Sequence, residues 1–578
     1  MKRIYIIFSI IIILGISGYL YIRYSLLKTK DFKPDNSKAN SFLDLRPSII
    51  AKLQQLVKDG SDGLYKLSIE KIQPHILKSQ LEMLNVAIIP DTVSIKKLNS
   101  VHKLPDDVFK ISFSSLHLEG IDINDLLSGD HVSLKDISIQ DPVIEVYHQK
   151  KWYNKEERIE NDSTTLYQKI MKNMKSISIN NIQVTGGTFI NYNLSKRKNT
   201  TSKFNEVTIK MQNILIDSST QFDKSRFLFA KQAEISTKNF SGKTPDNLYL
   251  FKCGAINIST AENKLTVLQF QLHPFGGQQQ FESKLITRRG MYDVEIPKVT
   301  LSNINWWKLA NEENLIAKEG IVDNFRFKVF LNRSFPFRNV KRHNFPHQML
   351  MQIPIPMYIE KMKFLQSSLF YSEYNPGMDK QGTIYIDEIN GQATNITNLP
   401  GKIKRNKLMT IKSSGIFMHK VPLTNGFQFD LSKHKTGNFT MDLDIGFMDS
   451  AILNPIAEPM GEFMIKKGSI QRGIAHVKGD NFKATGRGLL LYKDLYMVAL
   501  KKDKDKPGGI KKKSILSFIG NVFLIKNANP AKGDAPRYKN FESERGIHTT
   551  FMSLVWKTIY IGVLKTIGLP PSFADKPY

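Results

Sequence analysis

The sequence predicts a mainly β protein with a few helices, an antiparallel sheet as its body and a transmembrane helix at its N terminus. Three observations carry this. An uncharged apolar run extends from Ile4 to Ile22, apolar residues alternate with a period of two over most of the chain beyond it, and helical spacing is confined to a few short stretches.

At about 1.5 Å per residue, a helix over Ile4–Ile22 nearly crosses a hydrocarbon core of roughly 30 Å. A cleaved signal peptide is the competing reading, with Gly15-Ile16-Ser17 as a small-x-small site. A retained anchor is expected, because the apolar run continues past that site through Tyr19, Leu20, Tyr21 and Ile22, as a Tyr-rich membrane edge would. Lys2 and Arg3 precede the span and Arg23, Lys28, Lys30 and Lys33 come after it, so flanking charge does not fix the orientation. Next, Ile49, Ile50, Leu53, Leu56 and Val57 share one helical face between Pro47 and Gly60.

Beyond this helix the period becomes two: Phe109, Ile111 and Phe113, Leu116 and Leu118, Ile121 and Ile123, then Val132 through Val146. Glu119-Gly120, Ser128-Gly129-Asp130 and Asp141-Pro142 read as turns, which makes the segment an antiparallel meander. "ISINNIQVTGGTFINY" at Ile177–Tyr192 and "IEKMKFLQSSLFYSEYN" at Ile359–Asn375 share a pattern: apolar alternation, a small-residue turn, and a strand rich in Tyr at its end. They are weak structural repeats. A third instance runs from Gly468 to Leu500. There Ile470, Phe482, Ala484, Leu490, Tyr492 and Leu495 continue the pattern set by Phe463 and Ile465, and glycines at 468, 473, 479, 486 and 488 suit turns and bulges. Residues 152–175 read as a charged helix and 501–513 as a basic loop. The stretch His548–Gly568 reads as a helix whose apolar face carries Met552, Val555, Trp556, Ile559, Tyr560, Val563 and Ile567. It suits a membrane interface or a plug at the end of the sheet.

Composition narrows the function classes. Hydrophobic residues at 41% and charged residues at 23% indicate a folded body rather than a disordered or polytopic membrane chain. The formal charge of +29 attracts polyanions. The basic residues are spread along the chain without a reading helix, zinc module or aromatic stacking platform, so lipid headgroups are expected and nucleic acid is not. The single cysteine, Cys253, excludes an internal disulfide and reads as a core residue beside "AINIS". No phosphate loop, Gly-x-Ser-x-Gly or His-Glu-x-x-His occurs. His343 and His347 have i, i+4 spacing, but Pro346 lies between them and no third ligand is near, so no metal is expected there. The pairs Glu156-Glu157 and Glu312-Glu313 read as solvated surface. No enzyme, catalytic residue or cofactor is expected.

The order of segments resembles a known family: the N-terminal anchor, the amphipathic helix, "DGLYKLSIEKIQ" at Asp62–Gln73, "VAIIPD" ending at Asp91, "LHLEGIDINDLLSGDHVSLKDISIQDPVIEVY" at Leu116–Tyr147, and "GEFMIKKGSIQRGIAHVKGDNFKATGRGLLLYKDLYMVAL" at Gly461–Leu500. In this it is similar to the AsmA-like envelope proteins of Gram-negative bacteria, which include TamB-like members. The resemblance implies a single-pass inner-membrane protein with its body in the periplasm, an elongated curled sheet with a groove-like apolar inner face, and movement of phospholipids toward the outer membrane. The expected organisation is an anchor and linker over 1–30, a membrane-proximal helix and first strands over 31–105, an extended β body over 106–460, an AsmA-like β segment over 461–500, and a basic loop with an amphipathic helix over 501–578. The expected groove-lining residues are Phe109, Ile111, Phe113, Leu116, Leu118, Ile177, Ile179, Val184 and Phe364. The expected partners are phospholipids or other envelope lipids, the inner membrane and envelope proteins. Assistance to outer-membrane protein assembly through exposed strand edges is the alternative function.

Overall fold

The computed structural model describes residues 50–571 except 52, 56, 59–60, 62, 76–77, 121–130, 155–174, 196–199, 245, 337–344, 503–509, 513–524 and 546–549. The expected anchor at Ile4–Ile22 therefore lies outside the described residues, as do Ile49, Leu56, Ile121, Ile123, Ser128-Gly129-Asp130, the Glu156-Glu157 pair, most of the expected helix at 152–175 and most of the basic loop at 501–513. Among the described residues no helix is long and apolar enough to cross a membrane. The chain is mainly β and divides into two compact units.

The first unit takes Met1–Asn247, Phe251–Val267 and Asn305–Glu313. Its strands are β1 (Tyr65–His75), β2 (Gln80–Pro90), β3 (Asp107–Glu119), β4 (His131–Gln140), β5 (Val143–His148), β6 (Ser176–Asn193), β7 (Thr200–Ile216) and β8 (Ala230–Lys243). Alternation buries one face. Leu81, Met83, Val86 and Ile88 of β2 stand beside Ile111, Phe113, Leu116 and Leu118 of β3, and Val132, Leu134, Ile137 and Ile139 of β4 continue the face. Leu53, from the helical stretch within 50–58, and the Phe227–Trp306 edge-on ring pair pack against the same apolar cluster. Each such side chain is worth about 1.5–3 kcal/mol when fully buried.

The sheet is mixed rather than purely antiparallel, which corrects the expected meander. Asp141-Pro142 does not reverse the chain: β4 and β5 run in one direction, both antiparallel to β3 and both parallel to β6. Pro142 has no N–H for the ladder, and Asp141 has a left-handed φ of 48°, so the pair makes a bulge in a continuing strand. Opposite it, Gly186 at φ 71° leaves room for the Asp141 carboxylate; a Cβ there would lie 2.1 Å from Asp141 Oδ1. The small residues of "VTGGTF" thus bend β6 instead of ending it.

The second unit takes Leu248–Leu250, Leu268–Ile304 and Asn314–Tyr578. The strands β9 (Tyr249–Ser259) and β10 (Lys264–Pro274) are divided between the units, and the rest belong to the second: β11 (Met291–Ile304), β12 (Leu315–Asp323), β13 (Arg326–Asn332), β14 (Met357–Asn375), β15 (Lys380–Thr397), β16 (Leu408–Phe417), β17 (Val421–Asp430), β18 (Phe439–Ile445), β19 (Met448–Asp449), β20 (Phe463–Gly479), β21 (Lys483–Lys502), β22 (Ile510–Lys512) and β23 (Tyr538–Glu544). The grammar of the first unit returns here. β12 and β13 are one strand broken at Asn324 (φ 52°), antiparallel to β11 and parallel to β14, which then pairs antiparallel with β15. The two segments read as repeats, β6 and β14, occupy the same topological position in their units.

From β14 onward the strands β15, β16, β17, β18, β20, β21 and β23 pair in antiparallel succession. The helix Phe551–Ile567 lies on this sheet, burying Phe551, Leu554, Val555 and Ile561 in one cluster with Phe427, Phe429, Phe439 and Phe541, and Leu564 and Ile567 in another with Ile384, Phe417 and Tyr492. Of the two readings of this helix, packing on the sheet is the observed one. Its inward face includes Leu554, Ile561 and Leu564, while Met552 is exposed. In the Gly468–Leu500 stretch Ala484 and Tyr492 are buried as expected, but Phe482 sits in the turn between β20 and β21 with its ring in solvent. Gly486 serves close approach rather than a turn: a Cβ there would stand 2.2 Å from Phe541 Cε2.

Candidate functional site

In the first unit the structure brings together eight of the nine expected lining residues. Phe109, Ile111, Phe113, Leu116, Leu118, Ile177, Ile179 and Val184 share one face and one cluster, and none is more than 6% exposed. Their contacts are with one another and with Met83, Val86, Ile139 and Ile182 of the same cluster, so this face is a packed core.

Phe364 belongs to the second unit, on a different kind of surface. Three rows of register partners cross its strands: Val299, Val322, Phe364 and Gly391; Val294, Phe327, Leu369 and Ile386; and Tyr292, Val329, Tyr371 and Ile384. Left-handed residues at Asn324, Gln366 and Glu388 bulge the strands between the first row and the second, so a single added residue in each returns the apolar side chains to one face. Nearly all of these side chains are half-buried rather than sealed, in contrast to the first unit. Gly320 lets Leu301 and Met362 close over its strand, since a Cβ would meet Met362 Sδ at 2.4 Å and Leu301 Cδ2 at 3.0 Å. The next row, from Met362 through Ala393, Ile411, Phe427, Met441 and Val477 to Gly486, runs toward the C-terminal helix, which covers the far strands. The cover already reaches β14 and β15 at the second and third rows, where Ile384 is buried and Tyr371 and Ile386 pack in one cluster with Leu564 and Ile567 of that helix, so the less covered part of the face is the row of Val299, Val322 and Phe364. One border is polar: the Tyr371 hydroxyl donates to Glu373 Oε2 at 2.8 Å and Arg333 lies 3.4 Å from Glu373 Oε1. Burial, reinforced by Glu373, holds the Tyr371 hydroxyl well above its ordinary value, so it stays a donor.

Residues singled out for chemistry resolve in three ways. Cys253 is buried with its thiol 3.3 Å from the Ala255 carbonyl oxygen. His343 lies outside the described residues. His347 is fully buried in the apolar core, its ring 5.2 Å from that of Phe429, and neither ring nitrogen has a hydrogen-bond partner. Burial, followed by repulsion from His434 and partly offset by Asp430, lowers its pKa to about 4, so the ring is neutral. Sequence reasoning missed a cluster at His273, Asp293 and Glu295, whose ligand-type atoms lie within 4.8 Å of one another. The signal was Asp293-x-Glu295 on the polar face of an alternating strand. Arg326 reaches Glu295 at 3.6 Å, Lys328 stands opposite Asp293 in register, and His273 pairs with Asp293 at 3.2 Å, so the cluster reads as an ion-pair network.

No protein-family model matches the sequence, and no curated protein matches it.

Proposed function

We propose that this chain is a membrane-anchored envelope protein of the AsmA-like kind that binds or transfers phospholipid along an apolar sheet face. The observation that supports this most is the half-buried apolar face around Val299, Val322 and Phe364 on β11, β12 and β14, beyond which Tyr371, Glu373 and Arg333 lie toward the covered part of the sheet. An apolar face of this breadth left partly open is costly in water and is favourable once acyl chains cover it. In this reading the acyl chains lie against Phe364, Leu369, Val322 and Phe327 while the headgroups remain wet. The carrier is passive and not an enzyme, since it makes no covalent change. Ile4–Ile22 anchors it in the inner membrane, with the body in the periplasm. The sealed face of the first unit serves as scaffold.

The test is native mass spectrometry with lipid extraction on the full chain expressed in a Gram-negative host and purified in mild detergent. Phospholipid retained at defined stoichiometry is the expected result. A homogeneous lipid-free protein overturns the reading and moves assembly assistance ahead of it.

A further inference from the structure

The antiparallel order of the second unit brings four loops to one end of its sheet: the segment 345–356 before β14, the β15–β16 connection at 398–407, the β17–β18 connection at 431–438 and the β20–β21 turn at 480–482. Hydrogen bonds tie them into one surface. Gln348 Nε2 donates to the His434 carbonyl at 2.8 Å and to Asn481 Oδ1 at 2.9 Å, Asn481 Nδ2 donates to the Lys435 carbonyl at 2.7 Å, and the Leu431 amide donates to the Lys407 carbonyl at 2.8 Å.

Apolar side chains at this end point outward. Met349, Ile353, Ile355 and Phe482 are between 40% and 63% exposed. They are held there rather than loose: Asn398 Nδ2 donates to the carbonyls of both Ile353 and Ile355, at 3.1 and 3.0 Å, and Asn398 Oδ1 accepts from the Met357 amide at 2.7 Å. Pro354 and Pro356 stiffen the same loop.

Around them exposed basic residues predominate, although Glu544, the register partner of Lys483, is an exposed carboxylate at the same end. Lys404, Arg405, Lys407, Lys433 and Lys435 are all exposed and make no ion pair among the described residues. The Asp430 and Asp480 carboxylates are engaged by backbone: Asp430 accepts from the Ser432 and Lys433 amides, and Asp480 from the Phe482 and Lys483 amides. Pinned apolar tips ringed by unpaired cations match a bilayer surface, where the tips enter the acyl boundary and the cations meet anionic headgroups. Nucleic acid or an acidic protein would use the cations and leave the isoleucines in water.

We infer that this end of the second unit docks on an anionic lipid bilayer, through Met349, Ile353, Ile355 and Phe482 and the basic residues around them. The inference does not depend on lipid carriage by the inner face.

The test uses the full chain with Cys253→Ser and Ile355→Cys, labelled with an environment-sensitive thiol probe. It is reconstituted once in vesicles containing phosphatidylglycerol and once in phosphatidylcholine vesicles to which phosphatidylglycerol vesicles are added. The expected result, in at least one arrangement, is a blue shift of the probe and its quenching by brominated acyl chains, absent when every vesicle is phosphatidylcholine. At about fivefold in affinity per basic residue, Lys404→Gln, Lys407→Gln and Lys435→Gln together lower affinity for the anionic vesicles roughly 100-fold, with an unchanged melting temperature. A probe that stays in water in both arrangements overturns the inference, as does one quenched equally in neutral vesicles or one shifted by DNA or polyaspartate in the absence of lipid. A Phe364→Asp variant, which tests the inner face, leaves this signal unchanged, so the two readings fail separately.

Discussion

Ile111 and Phe364 are both apolar strand residues, yet the same substitution has opposite consequences at the two positions. Ile111 is 5% exposed, with Ile88 and Ile144 as register partners and Phe109 and Phe113 on the same face. Ile111→Asp forfeits about 1.5–3 kcal/mol of side-chain burial. It also places a carboxyl where burial raises the pKa by up to about 3–5 units from about 3.9, so that keeping it protonated in the fold costs about 4 kcal/mol at neutral pH. The sum is comparable with the whole stability of a domain, about 5–15 kcal/mol, so the first unit unfolds. Phe364 is half-buried between Val322 and Gly391, and an aspartate there keeps access to water. The expected cost of Phe364→Asp is about 1–2 kcal/mol, within the usual range for a substitution away from a sealed core. Urea denaturation followed by circular dichroism, with phospholipid content measured on the same samples, reads both quantities. The expected outcome is a folded Phe364→Asp protein with less bound lipid and an Ile111→Asp protein that lacks a cooperative transition for part of its signal. Equal losses of stability at the two positions would refute the distinction between a sealed and an open face.

Two further outcomes rest on the packing. His347 is neutral in the fold with a pKa lowered to about 4, against about 6.5 when unfolded, so the unfolded chain binds the proton first as pH falls. Its stabilising contribution is complete above about pH 6.5 and declines by about 3 kcal/mol toward pH 4; urea midpoints between pH 7 and 4 should show this, and His347→Leu should flatten that part of the profile. Gly486→Ala drives a methyl into the Phe541 ring and should cost about 1–3 kcal/mol, with partial recovery in Gly486→Ala/Phe541→Leu; no recovery in a thermal melt would place the strain elsewhere.

Much of the strand pattern was legible because a residue buried on one face imposes a period of two, which Phe109, Ile111 and Phe113 display and which Leu116 and Leu118 resume after one extra residue. The parallel pairings were not legible. Asp141-Pro142 and "TGG" carry the same residues whether the chain reverses or only bulges, and what decides is the long partner strand β6, which lies far away in sequence. The recurrence of the pattern at β14 was visible as a repeat, while its shared topology needed the register. Openness was also hidden: Phe364 and Ile111 look alike in an alternating string, and only the cover over each face tells them apart. Phe482 misled for a similar reason, since it keeps the alternation of its strand one residue past the point where the strand turns. The docking end escaped notice because Met349, Ile353 and Ile355 read as an irregular stretch between prolines, and their basic neighbours come from loops more than forty residues away.

The most direct test of lipid carriage places a benzoylphenylalanine photocrosslinker at Phe364 in living cells and compares it with the same group at Ile111 and at Lys363, which is exposed on the opposite face of β14. Phospholipid adducts at position 364, and none at 111 or 363, are the predicted result. Adducts as abundant at 363 as at 364, or none at 364 in a folded protein, would contradict the account.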